Sequence, residues 1–252
     1  MKFKLSVIAI VLAVPATVTA QVGAGGQLGC LLEPSMQAEI SSRAPGVVQT
    51  VMVERGERVA KGQALVLLEA SVEETILELA KAKVDFADRK LARNRDLIST
   101  GLLSTHEQDE IVTERHLAVL EAREAEARLE QRTIRSPLDG IVVERKISPG
   151  EYVSADPVLK LVALDPLHAE VVMDAAEYGT IREGMKAKLV LDGPVKGRFP
   201  GRVQIVDKVL DAASGTFRVQ VRVPNPGVRL PSGLKCKVQF EQRKRASKKS
   251  KP

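Results

Sequence analysis

The feature that most limits how this chain can fold is a pattern that it spells twice. Ala44 to Val59 and Leu138 to Val153 align without a gap: Gly46 matches Gly140, Val53 matches Ile147, Gly56 matches Gly150 and Val59 matches Val153. Beyond them, Leu65 and Leu67 match Leu159 and Leu161. Paired glycines bracketing β-branched residues describe short strands that turn where positive φ is tolerated. Gly46, Gly56, Gly140 and Gly150 are therefore the expected structural glycines, and each half is expected to be a small four-strand unit. Neither half could bury its apolar face alone, so residues 36–70 and 132–165 should close on each other as a flattened β-sandwich.

The segment between the halves has a different period. Residues 71–131 hold almost no Gly or Pro, the composition of a helix, a turn and a second helix. On the first, Leu77, Ala80, Val84, Ala87, Leu91, Asn94 and Ile98 recur at alternating spacings of three and four, the heptad rhythm of a coiled coil. On the second, Ile111, Ala118, Ala122, Ala125 and Leu129 form a thinner stripe. Facing seams make an antiparallel hairpin whose arms reach ~42 Å at 1.5 Å per residue. Ser99 to Thr105 reads as the bend, with Gly101 in a left-handed cap and Ser104 or Thr105 as N-cap. Leu102 and Leu103 at such a tip are better placed for contact than for water.

After the second half, residues 166–241 are strand-rich. Ala169 to Met173, Ala187 to Leu191 and Arg202 to Val206 read as short strands, and Phe217, Val219, Val221 and Val223 alternate with polar residues. Turns at Asn225 to Gly227 and Pro231 to Gly233 favour closure as an antiparallel β-barrel, with Ala175 to Ile181 as one short helix. The fold class is mixed and mainly β: a β-sandwich, a coiled-coil hairpin and a barrel.

Residues 1–20 form a secretory signal, with Lys2 and Lys4, an apolar run from Leu5 to Val14 and a small-residue cleavage site ending at Ala20, and residues 21–35 a linker and first strand. An exported protein results. Residues 242–252 form a basic, disordered tail carrying six Lys and Arg, which could contact anionic lipid. Two cysteines in an exported chain invite a bond between Cys30 and Cys236, tying the first strand to the last; two buried free thiols are the alternative.

The formal charge of +6 includes the two signal lysines and the six tail charges, so the body between is slightly acidic. With no Trp and 3% aromatic residues, stacking platforms for bases are hard to build, which argues against nucleic acid. His106, His116 and His168 form no catalytic or metal-binding spacing. Met36, Met52, Met173 and Met185 sit in or beside expected strands, where packing explains them. No enzyme, cofactor or metal is expected.

The paired halves resemble the split lipoyl or biotinyl domain, with the lysine-bearing hairpin of carrier proteins replaced by the helical insert. In that order of parts, and with Asp211 to Arg218, Val223 to Pro226 and Leu230 to Leu234 matching the family's last barrel strands, the chain resembles the hemolysin-D-like membrane fusion proteins. That resemblance implies a periplasmic adaptor joining an inner-membrane transporter, of the RND class or the ABC class, to a TolC-like outer-membrane channel, with copies self-associating into a ring or sheath. Adaptors of TolC-like channels carry Arg, Leu four positions on and Ser seven beyond; Arg93, Leu97 and Ser104 have that spacing. Leu97 would enter a groove between channel helices, and Arg93 and Ser104 would form hydrogen bonds to it. The chain ends after the barrel where fuller relatives continue into a membrane-proximal domain. An adaptor for protein secretion and a non-catalytic lipoyl-like scaffold are the other readings.

Overall fold

The computed structural model describes residues 28–241. The expected signal peptide, the start of the linker and the basic tail lie outside them.

Two long strands organise the molecule. β1 (Leu28–Ser41) runs antiparallel to β8 (Pro157–Asp174) along most of its length, Cys30 opposite Val171 at one end and Ile40 opposite Leu159 at the other. Both strands serve two layers. Their lower halves belong to a closed six-stranded barrel in the order β1, β12 (Lys235–Phe240), β9 (Lys186–Asp192), β10 (Lys196–Val206), β11 (Thr216–Val223) and β8, which the β1–β8 pairing seals. Alternate residues Leu167, Ala169, Val171 and Met173 of β8 point into the barrel core, where Leu32, Leu189, Val203, Val219, Val221 and Val238 meet them. Complete burial of each such Leu or Val contributes about 1.5–3 kcal/mol.

The upper halves of the same strands join β6 (Gly140–Arg145) and β3 (Arg58–Val59) in one sheet of the sandwich. The facing sheet is β5 (Thr133–Arg135), β4 (Ala64–Leu68), β2 (Gly46–Val51) and β7 (Tyr152–Val153). Val48, Leu65, Leu68, Val142, Leu159 and Leu161 fill the space between.

Several expectations change here. The halves of the repeat are not separate four-strand units: β2 pairs with β7 and β3 with β6, so each sheet takes strands from both halves. The exchange is reciprocal. Gly56 N donates to Val142 O at 2.7 Å and Gly150 N to Val48 O at 2.8 Å, while Val142 N donates to Glu57 O and Val48 N to Glu151 O, the pattern of an internal two-fold. The repeat's glycines divide by role. Gly56 and Gly150 have φ of 89° and 88° in tight turns, whereas Gly46 and Gly140 open strands at sites of close approach. A Cβ on Gly140 would lie 2.5 Å from Val162 O.

The barrel does not begin at residue 166, because β1 supplies one wall from Leu28 to Pro34 and the segment expected as a linker is partly strand. The register of β1 against β8 shifts between Pro34 and Met36, where proline's missing N–H fits an irregularity rather than a break. The short helix expected over Ala175 to Ile181 is a single 3-10 turn, Ala175–Glu177, capped by the Asp174 carboxylate. Cys30 and Cys236 sit opposite each other on β1 and β12 and are joined as a disulfide, Cα atoms 4.8 Å apart.

Candidate docking tip of the helical hairpin

Helices α1 (Ser71–Ser99) and α2 (Thr105–Glu130) leave the sandwich after β4 and return to β5. Their first turn and last turn are fixed by one arginine. Arg132, two residues past α2, donates to the Glu73 carboxylate on α1 and to the Pro45 carbonyl of the sandwich, the latter at 2.6 Å. Burial pushes the Glu73 carboxyl up, but the hydrogen bond and charge of Arg132, with Glu73's own backbone N–H, outweigh it and hold the pKa below its ordinary value.

The seam follows the heptads. Leu77, Ala80, Ala87, Ile111, Ala118 and Ala125 are buried, and Val84, Leu91, Asn94, Ile98, Ala122 and Leu129 are half-buried. Small residues let the helices approach closely, and Lys83–Glu121, Lys90–Glu114 and Asp88–Arg115 ion pairs bridge them at 2.7, 2.5 and 2.5 Å. Being exposed, such pairs set register more than they stabilise.

The turn at the end is closed on both sides. Leu102 N donates to Leu97 O at 2.9 Å and Gly101 N to Ile98 O at 3.2 Å, with Gly101 at φ 70°, the left-handed C-terminal cap. Ser104 is the N-cap: its hydroxyl accepts from Glu107 N and donates to the Glu107 carboxylate at 2.7 Å, and that carboxylate also accepts from Ser104 N. These hydrogen bonds from Ser104 lower the Glu107 pKa. The donor proton of Ser104 and one lone pair of its oxygen are thus committed to the cap, leaving the second lone pair for a partner.

Arg93 and Leu97 lie one turn apart on α1, both exposed, Leu97 at 41%. Leu102 is 74% exposed, while Leu103 is half-buried and offers less than expected. The sequence reading missed a second stripe that leads to this tip. Val72, Ile76, Leu79, Phe86 and Leu97 repeat the three-and-four rhythm one position before the seam, with Lys83, Lys90 and Arg93 completing it. Leu79 and Phe86 border a groove of about 560 Å3 whose far side is Leu117 of α2. The opposite face, around Lys81, Asp85, Asp88, Arg123 and Glu126, is charged. The stripe face therefore displays the larger apolar side chains, interrupted by Lys83, Lys90 and Arg93.

Among the described residues no group of three His, Cys, Asp or Glu is arranged to hold a metal, and no helix is long and apolar enough to cross a membrane. Met36 and Met52 are exposed rather than packed; Met173 and Met185 belong to the barrel core and its margin. His168 is half-buried in the barrel wall, where burial lowers its pKa.

Residues 36–163 match the CzcB-like, barrel-sandwich hybrid domain, and residues 167–244 the CusB-like, beta-barrel domain. The chain belongs to the membrane fusion proteins of efflux systems. Among its relatives in this family, the membrane fusion protein MtrC of Neisseria gonorrhoeae is 26% identical, over 94% of this chain and 63% of MtrC. The antibiotic efflux pump periplasmic linker protein ArpA of Pseudomonas putida is 25% identical, over 78% of this chain and 57% of ArpA. This chain thus spans less than two thirds of the length of these relatives. The fold is shared with the crystal structure of a MacA-MexA chimeric protein containing the Pseudomonas aeruginosa MexA alpha-hairpin domain, at TM-score 0.73 and 16% identity, covering 87% of this chain and 79% of that one.

Proposed function

We propose that this membrane fusion protein is a periplasmic adaptor, linking an inner-membrane efflux transporter to a TolC-like outer-membrane channel so that small molecules are exported across both membranes. The observation that carries the proposal is the tip. A rod of 29-residue and 26-residue helices, latched to the sandwich by Arg132, ends in a doubly capped turn that displays Arg93, Leu97 and Leu102 to a partner. Leu97 is the apolar anchor and Arg93 donates to carbonyls or carboxylates of the channel. Ser104 keeps the turn in shape and offers its oxygen as acceptor.

The family resemblance supports a transporter of the RND class ahead of one of the ABC class. Copies assemble side by side into a ring or sheath, and the stripe from Val72 to Phe86 is the surface that neighbouring hairpins cover. The role is binding and alignment, with no catalytic group and no cofactor. The basic tail contacts the membrane surface.

Affinity purification of the full chain from solubilised envelopes tests this reading. Channel and transporter should both be recovered, and replacing residues 74–127 by a short loop should lose the channel while keeping the transporter. Recovery of neither would favour the scaffold reading.

A further inference from the structure

The sandwich and the barrel have separate cores. Ala163 packs in the first and Leu164 against the second, so the boundary falls between neighbouring residues of β8, and among the described residues no buried side chain belongs to both cores. The long pair β1 and β8 carries the chain across this joint. Their register shifts there, between Pro34 and Met36, and a ribbon of two strands twists readily. Core packing therefore does not fix the angle between sandwich and barrel.

The loop from Pro224 to Leu230, which follows β11, supplies a third link. It is pinned from inside by Asn225, which is 2% exposed. The Asn225 amide donates to Leu164 O at 2.8 Å and to Leu230 O at 2.9 Å, its side-chain oxygen accepts from Leu230 N at 2.9 Å, and its backbone N–H donates to the Asp165 carboxylate at 2.9 Å. Both ends of the loop are thus tied to each other and to β8 at the joint. Between these pins the backbone turns over, Val228 N donating to Asn225 O at 2.9 Å, with Gly227 at φ 74° and Val228 at φ 54°. A β-branched residue takes that conformation only where its surroundings impose it, and such positions gather at functional sites. This turn presents the Gly227 carbonyl to the sandwich, where Arg58 on β3 donates to it from Nη2 at 2.7 Å, across 169 positions of chain.

We infer that the 224–230 loop is a strap between barrel and sandwich, fastened releasably by Arg58, and that it sets the direction in which the rod is aimed. The Asn225 end is buried and multiply bonded. The Arg58 end is a single hydrogen bond from an exposed side chain, so the strap opens there first. Leverage makes that opening matter: a rod of 29 residues is about 43 Å long, so a turn of roughly 10° at the joint moves its tip by about 7 Å. Engaged, the strap holds the tip in one place; released, it lets the tip search. It acts within one chain, whatever partner the tip meets.

Spin labels on the full chain test this, at Tyr152→Cys on the sandwich and Gln239→Cys on the barrel, both exposed, with Cys30 and Cys236 kept in their disulfide. Double electron–electron resonance should show one main distance in the labelled parent, and a second distance whose weight rises by roughly two- to tenfold on Arg58→Ala. Arg55→Ala, which removes a nearby exposed cation, should leave the distribution unchanged. Both variants should melt as the parent does, because both side chains are exposed, so a change in distance is not a loss of fold. Identical distributions for Arg58→Ala and the parent would overturn the inference. So would an equal change in Arg55→Ala, or a parent already spread over many distances. Channel engagement by the tip is measured separately, so failure here leaves the adaptor reading intact.

Discussion

Arg132 holds Glu73 across the base of the hairpin, so the residue that follows the second helix fixes the first turn of the first helix, fifty-nine positions earlier in the chain. Because the same guanidinium binds Pro45 O, the rod is anchored to the sandwich as well as to itself. Both side chains are mostly buried, 22% and 16% exposed, and Arg132→Ala should cost about 2 kcal/mol of stability in urea denaturation at neutral pH.

The same pair gives a pH dependence. With a folded pKa below its ordinary 4.5, Glu73 contributes stability that is complete above that value and is lost as the pH falls through the folded pKa. Wild type should therefore lose more stability than Arg132→Ala between pH 6 and pH 3, so that the two converge in acid. A gap that persists unchanged at pH 3 would mean that the arginine acts through Pro45 alone.

Gly140 and Gly46 occupy equivalent places in the repeat yet should respond differently to alanine. At Gly140 the new methyl meets the Val162 carbonyl, which cannot move without disturbing β8; at Gly46 it meets Arg132 Nη1 at 2.7 Å, the nitrogen that donates to Pro45 O, so the latch must shift. Gly140→Ala should cost roughly 3 kcal/mol and Gly46→Ala about 2 kcal/mol or less, the cost of displacing that guanidinium, measured as shifts in the urea midpoint at constant slope. Equal costs would contradict the close packing of Gly140.

The disulfide closes a loop spanning 206 positions by joining β1 to β12 in the barrel wall. Replacing both cysteines by Ala should lower stability by roughly 2–5 kcal/mol. Calorimetry with and without reductant measures it; identical transitions would show that the barrel is closed by hydrogen bonds alone.

Much of this was readable in the chain because it depends on local period. The seam residues Leu77, Ala80 and Ala87 were found by heptad spacing and are the ones buried. The strand exchange between β2 and β7 was not, since a repeat shows that two segments are alike and cannot show which strand of one pairs with which of the other. Pro34 and Pro166 disguised the continuity of β1 and β8, because a proline reads as a strand end until a register shift accommodates it. Of the tip, the capped turn was legible from Gly101 and Ser104. The stripe through Leu79 and Phe86 was overlooked because a helix was assigned one apolar face, and the Arg132–Glu73 latch spans too many residues for any local pattern to show.

Ser104 allows structure to be separated from docking. Ser104→Ala removes the cap and should cost about 1 kcal/mol, seen as fraying at the start of α2 by hydrogen exchange. Asn caps as well as Ser, so Ser104→Asn should restore protection. It should not restore contact with the channel if the serine oxygen is part of the interface.

Position-specific crosslinking in cells tests the adaptor account most directly. With Cys30 and Cys236 held in their disulfide, a cysteine introduced at Leu97 is the one free thiol among the described residues. The account predicts an adduct with the outer-membrane channel from Leu97→Cys and none from a cysteine at Asp85, midway along the rod on its charged face. No adduct from Leu97→Cys, in a protein shown to be folded and exported, would contradict docking through Arg93, Leu97 and Ser104.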